Sequence, residues 1–150
     1  GSLTGLNKEE TKKKIGEEQF KKYRRSWDVQ PPPMSENDTN HDLFSPLNPS
    51  IPVGQIPFTE SLNDTYNRVI PYYKKEIQKH INGSKNVLIS AHGNSLRALC
   101  KHLFNISNKK ISELEIPTGN PLIIEIDNNH KVLKYYYLDD TRAKTIIFNQ

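Results

Sequence analysis

One cysteine, Cys100, stands in 150 residues. A lone thiol cannot close an internal disulfide, so packing and hydrogen bonding must hold this chain together. Long apolar runs are missing as well. None approaches the roughly 20 residues that a membrane helix needs, and nothing reads as a signal peptide, so a soluble cytoplasmic protein is expected. No Cys/His/Asp cluster has metal-ligand spacing, and no metal site is expected. The charge imbalance is small, 21 Lys and Arg against 17 Asp and Glu. Much of the excess sits in Lys12-Lys13-Lys14 and in Lys21-Lys22-Tyr23-Arg24-Arg25. No nucleic-acid module accompanies it. The lysines read as solvated helix faces, with small anions the better explanation for a selected subset. The length suits one domain with a sizeable core.

The densest information lies in residues 86–99, NVLISAHGNSLRAL. Val87, Leu88 and Ile89 form a short apolar run ending in small residues, the pattern of a buried strand. His92-Gly93 follows, and Asn94-Ser95 opens a segment with Leu96, Leu99, Cys100 and Leu103 at helical spacing. Strand, tight turn and helix in this order aim free N–H groups and the positive end of the helix dipole at the turn. A histidine there can hydrogen-bond a phosphoryl group, or neutralise it when protonated. Taken alone, a single histidine in such a turn is more often a filler than a functional group. Cys100, on the apolar stripe, reads as a core residue rather than a reactive thiol.

Elsewhere, residues 7–14 and 17–27 read as two short helices parted by Gly16, with Phe20, Tyr23 and Trp27 as the buried stripe of the second. Residues 29–58, rich in Pro, Asn, Asp and Ser, form a long irregular excursion. Thr59 is the expected cap of a long helix with stripe Leu62, Tyr66, Val69, Tyr73 and Ile77, kinked at Pro71 and ended by Gly83. Ser107 caps a short helix reaching about Leu114. Residues 122–127 and 131–138 read as a hairpin with Asn128-Asn129 as a two-residue turn tolerating positive φ. The tail from Thr141 carries no readable pattern.

Several segments taken in series carry a resemblance: GLNKEET, RRSWDVQPPP, PFTESLNDTYNRVIPYY, AHGNSLRAL and EIPTGNPLIIE. In this order and spacing, from about residue 3 to about residue 140, the chain resembles the cofactor-dependent phosphoglycerate mutases of the histidine phosphatase superfamily. The resemblance implies an α/β fold: a three-layer α/β/α sandwich around a mostly parallel sheet, with a carboxyl-terminal hairpin. It makes 29–58 an insertion over the active-site mouth. It implies interconversion of 3-phosphoglycerate and 2-phosphoglycerate, primed by 2,3-bisphosphoglycerate, in a cytoplasmic homo-oligomer that uses neither nucleic acid nor membrane.

Carried over residue by residue, His92 matches the second active-site histidine, which stabilises the phosphoryl group in transfer without being phosphorylated. Gly93 and Asn94 match contacts to the ligand's phosphate. Lys8, Arg24 and Arg25 match the basic residues that hold the substrate's phosphate and carboxylate, a task that suits arginine's planar fork. Without the resemblance, the two arginines would be read as solvent-facing, because neighbours on a helix point about 100° apart. His41, His80, His102 and His130 have no motif around them and receive no role.

The family's nucleophilic histidine lies in an Arg-His-Gly segment near the amino terminus, and no Arg-His pair occurs here. The expectation is therefore a carboxyl-terminal piece of a single mutase domain, residues 3–150, with Gly1-Ser2 as a cleavage scar. Lacking nucleophile and general acid/base, such a piece is expected to be inactive alone. A bisphosphoglycerate synthase or phosphatase of the same superfamily, and a non-catalytic module binding phosphorylated ligands or a protein partner, are the alternatives.

Overall fold

The computed structural model describes residues 1–35, 38, 55–82 and 85–142. Most of the 29–58 excursion, His41, Gly83 and the tail from residue 143 lie outside the described residues. The chain divides into two compact units, Gly1–Asp64 and Thr65–Gln150.

In the first unit, α1 (Lys8–Ile15) is capped by Asn7, whose Oδ1 accepts the N–H groups of Glu9 and Glu10 at 2.9 and 3.2 Å. Asn7, expected inside the helix, is its cap. Gly16, at φ +83°, ends α1 and begins α2 (Glu17–Arg25). A side chain is strained at that backbone angle, so glycine is the fitting residue between the two helices. α2 buries no residue fully. Phe20 and Tyr23 are half-buried, and Trp27, also half-buried, falls beyond the helix, which Ser26 closes.

The helix that follows starts later than expected. Thr59 donates its hydroxyl to the Pro31 carbonyl at 2.5 Å instead of capping. Ser61 takes that place ahead of α3 (Leu62–Tyr72). Its N–H and hydroxyl donate to Asp64 Oδ2 at 2.8 and 2.6 Å, and the Asp64 N–H returns a bond to Ser61 Oγ at 3.1 Å. Such reciprocal capping stabilises a helix start by about 1 kcal/mol. The Ser61 hydroxyl, then the Gln30 amide, hold the Asp64 carboxyl below its ordinary range.

α3 runs into the second unit, and Pro71 lies inside it. The distortion expected there takes the form of a π-helical turn, Tyr73–Ile77, in which the N–H of Gln78 bonds the Tyr73 carbonyl five residues back. Proline has no N–H and its ring crowds the carbonyl four residues before it, so the regular ladder is already broken nearby. α4 (Gln78–Asn82) completes the rod. Against it packs α5 (Gly93–Leu103). Ile70, Tyr73 and Leu99 form the buried centre, with Tyr66, Val69, Ile77, Ile81, Ile89 and Leu103 around them. The expected stripe is largely there, with Ile70 added to it.

A 3-10 turn, Lys110–Glu113, is started by Ser107, whose Oγ accepts the Lys110 N–H at 3.2 Å. β1 (Leu122–Ile126) and β2 (Val132–Tyr137) then pair antiparallel, from Leu122 opposite Tyr137 to Ile126 opposite Val132, with an irregularity after Glu125. The connection is longer than the two residues expected. Asp127 Oδ1 accepts from the N–H groups of Asn129 and Lys131, and the positive φ falls on His130, at +62°, not on the asparagines. A turn followed by one left-handed residue suits the offset register of the strands.

The strand expected at 87–90 is not found in any ladder among the described residues, whose one sheet is the β1–β2 pair. Nor is it buried. Leu88 is 90% exposed and Val87 38%, and of the run only Ile89 reaches the apolar centre. An apolar run becomes a buried strand only where another strand offers hydrogen bonds along its edge.

Candidate active site

α5 begins at an exposed turn. His92, with φ −60° and ψ 145°, is the residue that caps it, and the N–H of Asn94 donates to His92 Nδ1 at 3.4 Å. With Nδ1 accepting, the proton of a neutral imidazole sits on Nε2. The ring therefore presents an N–H donor on its outer side, at the end of a helix where first-turn N–H groups and the helix dipole favour negative charge.

Gly93 is the first residue of α5. It has no positive φ, and a Cβ placed on it would meet nothing within 4 Å. Neither the backbone nor a neighbouring group demands glycine here, although alanine would favour the helix. Asn94, half-buried, follows it; its Oδ1 accepts from Nη1 of Arg97 at 3.4 Å. Arg97 is only 3% exposed, and its Nη2 donates to the Ile111 carbonyl at 2.5 Å. Nothing in the spacing marked Arg97, since an arginine beside Leu96 reads as a residue facing water.

His92, Gly93 and Asn94 thus form one turn of the second unit, and the expected basic residues lie in the first. Lys8 is the first residue of α1 and exposed. A cation at that end opposes the helix dipole, which the neighbouring Glu9 and Glu10 suit. Arg24 and Arg25 occupy the last turn of α2, the end that favours cations. Arg24 is exposed with its guanidinium carbon 5.2 Å from the centre of the Phe20 ring, and Arg25 is half-buried.

The remaining titratable groups read differently. Burial pushes the Cys100 thiol up to about 12, which makes it a core residue without nucleophilic character. His102 is half-buried, its Nδ1 3.4 Å from the Tyr66 hydroxyl and its ring edge-on to Tyr73. His80 is exposed on α4 and His130 shapes the hairpin turn.

The family model of the histidine phosphatase superfamily (branch 1) matches residues 1–139. The chain belongs to this superfamily. It is 52% identical over 147 residues to the 2,3-bisphosphoglycerate-dependent phosphoglycerate mutase of Pelagibacter ubique, a match covering 98% of this chain and 62% of that protein. To the protein of the same name from Borrelia garinii subsp. bavariensis it is 47% identical over 140 residues, covering 93% of this chain and 56% of the relative. The chain thus spans about three-fifths of the length of these relatives.

Proposed function

We propose that residues 3–150 are the carboxyl-terminal part of a single-domain 2,3-bisphosphoglycerate-dependent phosphoglycerate mutase, interconverting 3-phosphoglycerate and 2-phosphoglycerate through a phosphorylated histidine. One observation carries the reading: an exposed histidine caps an eleven-residue helix in a chain 52% identical to a protein of that name. The 150 residues contain no Arg-His pair and match less than two thirds of the relatives' length, which supports a nucleophile placed outside them.

In this reading His92 donates from Nε2 to an oxygen of the phosphoryl group in transfer. That transition state is loose and anionic, so donors fixed on its equatorial oxygens lower the barrier. Gly93 leaves its side of the turn open to a phosphate, and Asn94 adds amide donors. Lys8, Arg24 and Arg25 bind the substrate's phosphate and carboxylate, which accounts for a lysine at the helix end that least favours it. The His92 imidazole and the Asn94 amide are donors that fit a phosphate of the polyanionic bisphosphate, and Gly93 leaves room for it. When bound, that molecule supplies the phosphoryl group that primes the enzyme.

The fold in this reading is the three-layer α/β/α sandwich around a mostly parallel sheet, with 29–58 over the active-site mouth. The exposure of Val87 and Leu88 supports a missing neighbour strand beside 87–90. The protein is a cytoplasmic homo-oligomer with phosphoglycerates as its ligands. The test is His92→Ala in the full-length enzyme. The expected fall in kcat is about 10²-fold, the size seen when an oxyanion donor is removed. A loss below threefold in a variant that folds normally removes His92 from the chemistry.

A further inference from the structure

Asn94 has two chemically opposite ends of nearly equal shape, a carbonyl that accepts and an NH2 that donates. Only the donating end can serve a phosphate. The group that decides between them lies one turn along α5. Arg97 Nη1 is 3.4 Å from Asn94 Oδ1, and Nη2 of the same guanidinium is 2.5 Å from the Ile111 carbonyl. A guanidinium has five N–H donors and no acceptor, so only the carbonyl end of the amide can face it.

We infer that Arg97 is a positioning residue: it holds the Asn94 amide with its oxygen inward, which turns the NH2 group outward for the ligand. The inference rests on the reading of Asn94 as a phosphate contact. Arg97 is 3% exposed, so its guanidinium is turned into the protein and away from solvent. Its neighbours along the buried part of α5 are Ala98, Leu99 and Cys100, the small and apolar residues a helix interior ordinarily takes. An arginine in such company is a demanding choice, because a buried charge is tolerated only when hydrogen-bonded. The planar fork spans two acceptors at once, the Asn94 amide in the site and the Ile111 carbonyl in the 3-10 turn. A lysine, as a point charge on a flexible stem, cannot hold both in one geometry. The orientation of a ligand-binding amide is thereby anchored to a backbone carbonyl 14 residues further along the chain.

The test is a double-mutant cycle in the full-length enzyme, read as kcat/KM for 3-phosphoglycerate. Asn94→Ala is expected to lower kcat/KM about tenfold, and Arg97→Lys, which keeps the charge, at least fivefold. If Arg97 acts through Asn94, the double variant falls no further than Asn94→Ala alone. Full activity in Arg97→Lys, or an equal loss in both backgrounds, overturns the inference while leaving the role of Asn94 intact. An Asn94→Ala variant with unchanged kcat/KM defeats the proposed phosphate contact itself, and the inference with it. Should Arg97→Lys not fold, Asn94→Asp decides. It keeps an acceptor for Arg97 but has no NH2, so its Tm should match or exceed the wild-type value while kcat/KM falls at least tenfold. Retained activity, or a Tm several degrees lower, overturns the pairing.

Discussion

Gly93→Ala separates what the protein needs at this position from what a ligand needs. A Cβ there meets nothing within 4 Å and the backbone angle is ordinary, so no clash or strain opposes alanine. Alanine is favoured over glycine in a helix by roughly 0.5–1 kcal/mol, partly because the unfolded chain loses freedom. At the first helical position the lower part of that range applies, about 0.5 kcal/mol. For a chain of this size or larger, that raises Tm by about 1–2 °C. Binding should move the other way. A methyl group in the space that a phosphate would fill pushes it outward, and a misplacement near 1 Å can cost about 10²-fold in rate. The expected result in the full-length enzyme is a slightly raised Tm with kcat/KM reduced between about 10- and 10²-fold. Calorimetry gives the first quantity, and 31P NMR of phosphoglycerate interconversion gives the second. A variant that stays within threefold of wild type shows that no ligand occupies the open side of Gly93. One that melts several degrees lower shows that a protein group does.

Two further outcomes are expected. Arg24→Ala and Arg25→Ala should mainly raise KM, with a smaller effect on kcat, because a clamp on phosphate and carboxylate grips substrate and transition state alike; unchanged KM in both variants removes them from the clamp. Cys100, raised from 9.0 to about 12, keeps its proton in the folded protein while the unfolded chain loses it. The folded state therefore binds more protons across that window, and Cys100's share of the stability, complete below about pH 9, declines as pH rises toward 12. Cys100→Ala should flatten the alkaline fall in Tm, and a profile parallel to wild type would contradict the assignment.

What the sequence disclosed follows the range of the forces involved. Helical spacing and Gly16 marked α1 and α2, and His92 at the start of α5 could be read from a local pattern of apolar and small residues. The hairpin was legible as two runs, but its turn was not, because register depends on the irregularity after Glu125 rather than on the asparagines. Ser61 displaced Thr59 as cap because a carboxylate three residues on, Asp64, completes a reciprocal pair that Thr59 lacks. The run at Val87 and Leu88 had the composition of a buried strand, yet composition cannot supply the neighbour that makes one. Arg97 was invisible for a related reason. Periodicity ranks residues by apolarity, and a guanidinium buried through the acceptors around it has no signature in that ranking. Lys8, Arg24 and Arg25 were legible only through the resemblance, since ordinary surface lysines and arginines have the same local sequence.

The π-helical turn at Tyr73–Ile77 has a consequence for how this chain tolerates length change. Val69, Tyr73, Ile77 and Ile81 recur every four residues and all pack on the same apolar centre. On a regular α-helix each step of four overshoots by about 40°, so three steps would carry the last residue some 120° around the rod. The wider turn absorbs that drift, and the segment holds one residue more than a regular helix would accommodate in the same position. Lys74 and Lys75, both exposed, lie within it. Excising either one closes the turn into ordinary helix and leaves the same apolar residues spaced four, three and four apart, which is the rhythm of an amphipathic α-helix. A one-residue deletion at this place is therefore expected to leave the apolar centre in register, whereas the same deletion in a regular stretch of helix would turn every later residue by about 100°.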